Sequence, residues 1–289
     1  MNDRRLTPSN GRVAHVSLKG LVEAERFVEG TVGRITDTVA DMVSEPGGNR
    51  VRQLVCGEAF RVLDRQDGWA FGQSVQDGYV GWTTAGLDHE ARPTHRVSAP
   101  RAFALEYPDV TRKGAHRSLS FGSGVTCWPA PDNALQATWE AQGWTRITGE
   151  GRGIPGLFIR SSQITAIGSF ASDPASVAEL FLHTPYLWGG DTGFGIDCSG
   201  LVQRCLWECG LDCPRDSDMQ ESAFRPIGRK DRARGDLVFW EGHVGMLLDP
   251  DTLIHANAHH MAVAIEPLDQ AITRIGQKEF GEVTSYRRA

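Results

Sequence analysis

The order of apolar and polar positions divides the chain into an N-terminal extension and three further parts. Between residues 31 and 97, short runs rich in β-branched and aromatic residues alternate with Gly, Asp and Asn, which is typical of several short strands. Residues 98–166 have the same pattern, so both stretches predict small all-β units. Within residues 1–30, apolar side chains between Leu21 and Val28 recur at roughly helical spacing and predict a short helix.

The second β-rich stretch is a degenerate repeat of the first. Three pairs of segments align, namely LVCGE at 54–58 with LSFGS at 119–123, Gly68-Trp69 with Gly143-Trp144, and more loosely 78–82 with 156–159. Self-similarity at a fixed period indicates that one structural unit occurs twice. The sequence therefore predicts two small all-β barrels of the SH3-like kind in tandem.

After residue 167 the pattern changes to helical periodicity followed by strands. Ser172, Asp173 and Pro174 form a helix start, because a capping residue precedes a Pro in the first turn. Apolar residues at helical spacing predict a second helix over 199–209. Four runs then indicate consecutive strands, GDLVFW, HVGMLLD, TLIHANA and AVAIEPL. Helices followed by such strands predict an α+β domain.

Composition narrows the classes of partner. The 289 residues carry a formal charge of −6 and have a pI near 5.9, which argues against nucleic acid or an anionic membrane as the main partner. No stretch approaches the roughly 18 apolar residues that span a bilayer, and the N-terminal residues lack the apolar stretch of a signal peptide. We therefore expect a cytoplasmic protein with neither a nucleic-acid nor a membrane partner.

One cysteine has a distinctive setting. Six cysteines are too few for a disulfide scaffold in a chain of this length, but Cys198 lies in the glycine-bounded sequence GIDCSG and opens the predicted helix over 199–209. The N-terminus of a helix favours a thiolate, and its unpaired N–H groups can hold an oxyanion. Cys198 is therefore the candidate nucleophile.

Two histidines follow on strands that are predicted to pair. His243 begins one strand and His255 lies in the next, so a turn at 249–251 would place the two residues opposite each other. This symmetry favours His255 over the neighbouring His259 and His260. A cysteine nucleophile needs a base, and the base needs an orienting group, so the two histidines complete a candidate triad.

The other cysteines are interpreted as structural. Cys205, Cys209 and Cys213 lie four residues apart without the closer CxxC pairs that zinc usually takes, and Cys56 and Cys127 are assigned to the cores of the β-rich units. The sequence predicts no metal and no cofactor.

The region from about 170 to 289 resembles the catalytic domain of the NlpC/P60 cysteine peptidases. Its motifs occur in the family order, PYLWGG, DCSGLVQ, PRDSDMQ, GDLVFW, HVGMLL and IHA. The resemblance implies a papain-like α+β fold in which Cys198 is the nucleophile, His243 the general base and His255 the group that orients it. Tyr186 matches a family tyrosine near the active site and is expected to help bind the oxyanion. Such peptidases cut murein stem peptides between γ-D-glutamate and a diamino acid.

One branch of this family also carries bacterial SH3 domains, which the two β-rich units resemble. Its Arg-Asp-Ser motif corresponds to Arg215, Asp216 and Ser217, and in that branch the Asp and Ser bind the free amino group of an N-terminal L-Ala. The first SH3 domain closes the cleft and contributes a Glu and a Tyr, which by position correspond to Glu58 and Tyr79.

The resemblance also bears on the form of the substrate. A buried carboxylate such as that of Asp216 selects a free ammonium group and penalises an acylated nitrogen, and intact peptidoglycan carries its stem peptide on that nitrogen. The enzyme would therefore act on released peptides. Asp197, Ser199 and Trp188 adjoin these motifs and complete the predicted substrate-binding set.

The resulting hypothesis is a multidomain cysteine endopeptidase that cleaves the γ-D-glutamyl–diamino acid bond of released murein peptides with a free N-terminal L-Ala, as in cell-wall peptide recycling. Its predicted parts are an extension (1–30), two SH3-like domains (31–97 and 98–166) and a peptidase domain (167–289). Three alternatives remain, an exported wall hydrolase anchored by its SH3 units, a non-catalytic peptide-binding protein, and a transglutaminase or acyltransferase. The diamino acid is left open between meso-diaminopimelate and L-Lys.

Overall fold

The computed structural model describes residues 3–128, 134–148 and 156–289. The chain forms two compact units, Met1–Ile167 and Gly168–Ala289. No helix within the described ranges has the length and apolarity that a bilayer crossing requires.

The first unit consists almost entirely of short strands. Its elements are β1 (Val13–His15), β2 (Arg26–Val28), β3 (Thr31–Ile35), β4 (Val39–Val43), β5 (Arg50–Val55), β6 (Ala59–Gln66), β7 (Trp69–Ser74), β8 (Val80–Thr83), β9 (Leu87–Asp88), β10 (His95–Val97), β11 (Arg101–Leu105), β12 (His116–Ser120), β13 (Gly124–Val125), α1 (Ala134–Ala141), β14 (Trp144–Ile147), β15 (Leu157–Arg160) and β16 (Ile164–Ala166). Single 3-10 turns occur at Arg4–Leu6, Val16–Leu18 and Ser161–Gln163.

The first β-rich region is one antiparallel sheet in the order β5-β4-β8-β7-β6-β3-β9. Its outer strands β5 and β9 are not paired with each other in the described residues, so the predicted closed barrel is replaced by an open sheet. The apolar core against this sheet contains Val13, Val43, Leu63, Phe71 and Trp82.

The second β-rich region forms two smaller sheets, β13-β10-β16 and β12-β11-β15-β14. No closed barrel is found among its described residues either, and α1 interrupts a stretch that was predicted to be all-β. Cys56 is buried in the core of this region and Cys127 packs against that core, as predicted. The backbone N–H of Gly124 donates to the carbonyl of Cys56 at 2.7 Å, so the two β-rich regions belong to one compact unit.

The aligned turns of the two β-rich regions share their local geometry. Gly57 and Gly122 both have a positive φ, at 77° and 78°, a conformation that favours glycine. In the first turn the side chain of Glu58 accepts from the N–H of Val55. At the matching positions of the second turn, Ser123 Oγ accepts from the N–H of Ser120.

The helix predicted within residues 21–30 is wrong. The segment contains β2, which pairs in parallel with β1 through Val13↔Arg26 and Ala14↔Phe27. A helix of this length is marginal in water without tertiary support, and here the supporting partner is a strand.

The second unit contains the predicted helices followed by strands. Its elements are α2 (Pro174–Leu180), β17 (Asp191–Thr192), β18 (Gly195–Ile196), α3 (Cys198–Glu208), α4 (Ser217–Ala223), β19 (Arg225–Ile227), a 3-10 turn (Arg229–Asp231), β20 (Leu237–Trp240), β21 (His243–Asp249), β22 (Thr252–Asn257), β23 (Ala262–Pro267), α5 (Leu268–Lys278) and β24 (Ser285–Arg288).

A six-stranded antiparallel sheet forms the centre of this unit, in the order β19-β24-β20-β21-β22-β23. Helix α3 packs on β21 and β22, and α5 packs on β22 and β23. The start of α2 is as predicted, because the side chain of Asp173 accepts from the N–H of Ala175 at 3.0 Å. The sheet brings β21, β22 and β23 side by side, and these strands carry the histidines of interest.

Candidate active site

Cys198 is the first residue of α3, and only 7% of it is exposed. The backbone N–H groups of Val244 and Ser199 lower the pKa of its thiol, so the thiol lies beside the peptide that follows His243. Gly200 lets this turn close, because a side chain there would lie 2.6 Å from the carbonyl oxygen of Gly190.

A buried ion pair fixes the turn that presents Cys198. Asp197 caps α3 by accepting from the N–H of Gly200 at 2.7 Å, and its second oxygen accepts from the N–H of Gly189 at 2.9 Å. The guanidinium of Arg215 donates to both carboxylate oxygens of Asp197, at 3.0 and 2.8 Å, and to Ser199 Oγ at 2.8 Å. Arg215 itself is 1% exposed. These contacts assign Arg215, Asp197 and Ser199 a part in holding the nucleophile, beside the substrate-binding role predicted for them.

The two predicted histidines begin a hydrogen-bonded chain across three strands. His243 Nε2 lies 2.8 Å from His255 Nδ1, and His255 Nε2 lies 2.7 Å from Glu266 Oε1. Arg274 of α5 donates to the same carboxylate oxygen and also pairs with Glu279. His243 and His255 are buried, so their hydrogen bonds are shielded from water.

The hairpin that joins the histidines differs in register from the prediction. Pairs such as Met246↔Ile254 move the symmetry centre away from residue 249, and the register shifts at Leu247/Asp249. His243 and His255 are therefore diagonal rather than directly opposite. Diagonal neighbours on one face of a sheet are still within reach of long side chains, and the absence of a side chain at Gly245 leaves room for His255 between them.

Aromatic rings hold the imidazole of His243 from two sides. Phe280 stacks on it with an interplanar angle of 4° and a centroid distance of 5.3 Å. Trp240 lies 5.6 Å away in a tilted arrangement. The ring of His243 thus has a defined orientation before any substrate is bound.

Burial dominates the electrostatics of the candidate triad. Burial and then the charge of Asp197 raise the pKa of Cys198 to about 12, against the opposing effects of Arg215 and the backbone N–H groups. Burial also lowers the pKa of His243 well below its usual value, and lowers that of His255. Burial raises the pKa of Glu266 too, but the hydrogen bonds and charges of His255 and Arg274 outweigh it and bring the value to about 2.

Tyr186 and Trp188 precede the nucleophile in the chain. The backbone N–H of Tyr186 donates to the carbonyl of Met261 at 3.0 Å. Burial raises the pKa of the Tyr186 phenol, and the charges of Cys198 and Asp197 raise it further, which puts the phenol within electrostatic reach of the thiol. Trp188 is 68% exposed, and its predicted contact with substrate stays a prediction.

Asp216 and Ser217 lie at the start of α4, with Ser217 as its first residue. Asp216 occupies the N-cap position of α4, and its side chain makes no capping hydrogen bond to that helix. Both residues are half-buried. Burial lowers the pKa of the adjacent Arg215, but the charges of Asp197, Asp191 and Asp216 raise it.

Glu58 and Tyr79 lie in the first unit. Glu58 is engaged in a buried cluster, because its carboxylate accepts from Arg52 at 2.7 Å and from Ser74 Oγ at 3.3 Å. Arg52 is fully buried and also pairs with Asp77. Tyr79 is 4% exposed. Their predicted contact with substrate stays a prediction.

One group of side chains offers ligand atoms close enough together for a metal ion. Ligand atoms of His255, His260 and Glu266 lie within 4.8 Å of one another. However, His255 and Glu266 already bond to each other, and the cation of Arg274 on Glu266 opposes a second positive charge.

Sequence reasoning did not find Glu266, Arg274 or Phe280. Glu266 lies two residues beyond Ala264, the strand partner of His255, so it shares a face with that histidine. The only available signal was this period-2 alternation, and it could be used only once the register of β22 and β23 was known.

Comparison with known proteins identifies both units. A sequence profile described as the NlpC/P60 family matches residues 183–278, and a profile described as the bacterial dipeptidyl-peptidase SH3 domain matches residues 42–85. A γ-D-glutamyl-L-lysine dipeptidyl-peptidase of Bacillus subtilis is 32% identical over 245 residues, which cover 76% of each chain. A protein of the same name from Bacillus cereus is 25% identical over 240 residues, which cover 75% of this chain and 70% of that one.

Solved structures agree with these matches at the level of the fold. The crystal structure of an NlpC/P60 family protein from Bacillus cereus has a TM-score of 0.71 and 20% identity, and the match covers 89% of this chain and 99% of that one.

Proposed function

Because this chain belongs to the NlpC/P60 family of cysteine peptidases, we propose that Cys198 is its nucleophile, His243 its general base and His255 the group that orients the base. The observation that carries the assignment is the 2.8 Å contact between the two imidazoles, beside the peptide whose N–H, that of Val244, lowers the pKa of Cys198. A nucleophile next to a base, with a third group that orients the base, is the arrangement that acyl transfer by a thiol uses.

The reaction proceeds in two stages. His243 takes the proton of the Cys198 thiol as the sulfur attacks the scissile carbonyl, and the C–N bond breaks as His243 returns that proton to the leaving amine. The product of this stage is a thioester. Water then attacks the thioester with His243 as base, which releases the acid and restores the thiol. Tyr186 is proposed to donate to the oxyanion, since its raised pKa keeps the phenol protonated.

The proposed scissile bond joins γ-D-glutamate to a diamino acid in a murein-derived peptide. Relatives that share about three-quarters of their length with this chain are named γ-D-glutamyl-L-lysine dipeptidyl-peptidases. Both L-Lys and meso-diaminopimelate carry a second amine, so a test of the substrate includes both.

We further propose that the substrate is a released peptide with a free N-terminal L-Ala. The half-buried carboxylate of Asp216 at the start of α4 is the proposed partner of the ammonium group, with Ser217 beside it. Glu58 and Tyr79 of the first β-rich region are proposed to contact the substrate. Recycling of wall peptides in the cytoplasm is the corresponding role, and cell fractionation tests that location.

The experiment is turnover of L-Ala-γ-D-Glu-diaminopimelate and of the L-Lys peptide, each with a free and an acetylated amino terminus. Wild type is expected to release L-Ala-γ-D-Glu, and Cys198→Ala to lose activity. Asp216→Asn is expected to raise KM for the free peptide roughly 10-fold or more, since a charge-assisted bond is lost. Asp218→Asn, a nearby exposed carboxylate of α4, is the matched control and is expected to leave KM unchanged.

The other outcomes separate the alternatives. Equal turnover of free and acetylated peptides, together with release of peptides from intact wall, contradicts the recycling proposal and favours an exported hydrolase. Binding without turnover favours a peptide-binding protein. Transfer of the L-Ala-γ-D-Glu group to an added amine in preference to water favours an acyltransferase.

A further inference from the structure

The chain of hydrogen bonds behind His243 ends in a group that neither the motifs nor the comparisons assign. Glu266 lies at the end of β23, and its side chain is 13% exposed. It is bonded on one side to His255 and on the other to Arg274. We propose that Glu266, held in place by Arg274, is a positioning residue that fixes the tautomers of His255 and His243. This inference rests on the roles proposed for Cys198 and the two histidines.

The direction of each hydrogen bond follows from the one group in the chain that cannot donate. Glu266 is ionised, because its two cationic or donating neighbours hold its pKa at about 2 against the opposing effect of burial. A carboxylate only accepts, so His255 Nε2 carries the proton. In a neutral imidazole the other nitrogen is then an acceptor, and His255 Nδ1 accepts from Nε2–H of His243.

The same logic determines which nitrogen of His243 reacts. With its proton on Nε2, the Nδ1 lone pair of His243 is left to take the proton of the thiol. The ion pair of Glu266 with Arg274 thereby determines, through His255, which nitrogen of His243 reacts. Without the carboxylate the chain can reverse, and both histidines then carry their protons on Nδ1, which is the wrong tautomer for a base.

Arg274 holds Glu266 from the α5 side. Its side chain is 14% exposed, and its two terminal nitrogens donate separately, one to Glu266 and the other to Glu279. The bonds of Glu266 to an arginine and to a histidine leave its carboxylate little rotational freedom. Glu279 shares the same arginine but makes no hydrogen bond to a histidine among the described residues, so it provides a matched control.

The charged groups that face His255 affect its pKa in opposite directions, so removal of Glu266 and removal of Arg274 should have opposite effects. His243 faces it from β21, Glu266 from β23, Arg274 from α5 and His260 from the loop after β22. Burial lowers the pKa of His255 most, and Arg274 and His260 lower it further, whereas Glu266 raises it. Removal of the glutamate charge should therefore lower the pKa of the imidazole chain, and removal of the arginine charge should raise it.

The first test is the tautomeric state of the wild-type protein, read from the nitrogen chemical shifts of 15N-labelled histidines. His243→Asn and His255→Asn supply the assignments. Both side chains are expected to carry the proton on Nε2. A proton on Nδ1 of either one overturns the proposal, and this measurement needs neither substrate nor a Glu266 variant.

The second test compares Glu266→Gln, Arg274→Gln and the control Glu279→Gln in turnover. Glu266→Gln is expected to lower kcat about 10- to 100-fold with KM within about two-fold, less than loss of a directly orienting group costs, because His255 remains. The acidic limb of kcat/KM is expected to move to lower pH in Glu266→Gln and to higher pH in Arg274→Gln. Glu279→Gln changes neither kcat nor the limb.

Two results overturn the inference in this series. One is an unchanged kcat and unchanged tautomers in a folded Glu266→Gln protein. The other is a shift of both limbs in the same direction, which a merely structural loss would give. Turnover that survives Cys198→Ala instead contradicts the proposed function, and the wild-type tautomers still test the inference.

Discussion

The thiol of Cys198 starts a helix, where the dipole favours a thiolate, yet its pKa is raised to about 12, first by burial and then by the charge of Asp197. Burial also lowers the pKa of His243 well below its usual value. Both effects favour the uncharged thiol and imidazole over the ion pair in the substrate-free enzyme. Proton transfer is therefore expected to accompany attack on the carbonyl rather than to precede it.

This neutral pair has a signature in the pH dependence of turnover. A base whose pKa is lowered stays deprotonated in mild acid, so the acidic limb of kcat/KM is expected below the ordinary imidazole value of 6.5. Alkylation of Cys198 by iodoacetamide should rise with pH beyond the ordinary thiol value of 9.0.

The rates are measured by stopped assays and by mass spectrometry of the peptide that contains Cys198, with Cys198→Ala as the blank. A pH-independent alkylation rate from pH 5 to 8 would indicate a preformed thiolate and contradict the neutral pair. An acidic limb of kcat/KM at or above the ordinary imidazole pKa would contradict the lowered pKa of His243.

At the scale of elements, the first turn of α3 depends on two buried ion pairs. Arg215 donates to Asp197, and Arg204 donates to Asp191 at 3.1 and 2.9 Å. All four side chains are at most 10% exposed. Removal of one partner of such a pair leaves a buried charge uncompensated, which costs more than the pair itself contributes.

Asp197→Asn is therefore expected to lower the free energy of unfolding by about 3 kcal/mol, although asparagine can still cap the helix. We also expect kcat to fall, because the turn that presents Cys198 loses its hold on Arg215. Urea denaturation followed by circular dichroism measures the first effect, and peptide turnover the second.

Asp173→Asn is the matched control in the same unit, because Asp173 caps α2 and pairs with the partly exposed Arg234. Asparagine caps about as well as aspartate and exposed pairs contribute little, so the loss should be about 1 kcal/mol or less. Equal losses of unfolding free energy in the two variants would show that the buried pair of Asp197 and Arg215 contributes no more to stability than the exposed pair of Asp173.

The sequence predicts those elements whose signals are local. Asp173 and Cys198 begin helices because caps and apolar spacing lie within a few residues of each other, and β20 to β23 follow from β-branched runs and turns. The helix expected within residues 21–30 is wrong because its partner β1 is distant in sequence. The closed barrels are likewise absent from the described residues, since closure depends on pairing that no short segment specifies.

The candidate site divides in the same way. The motifs identify Cys198, His243 and His255, but the partners that orient them come from other elements. Glu266 required the register of β22 and β23, which the four-residue loop between these strands determines. Arg215 was assigned to the substrate because its bond to Asp197, 18 residues earlier, exists only in the folded unit.

At the scale of the whole molecule, the buried groups of the site oppose stability at both ends of the pH range. His243 has a lowered pKa when folded, so the unfolded chain binds its proton first and stability falls as pH drops below 6.5. Cys205 is buried with a pKa raised well above 9.0, so the unfolded chain loses its proton first and stability falls as pH rises above that value.

Thermal unfolding is therefore expected to show a plateau between about pH 6.5 and 9 with a decline on each side. Salt-bridged carboxylates such as Asp64, whose pKa its arginine and asparagine partners lower against burial, lose their contribution only in stronger acid. His243→Asn should flatten the decline between pH 6.5 and 5, and Cys205→Ala should flatten the alkaline decline even though the smaller side chain lowers the plateau itself. The slopes of melting temperature against pH, from calorimetry of wild type and both variants in matched buffers, measure these effects. Identical slopes in all three proteins would show that neither buried group governs the pH dependence of folding.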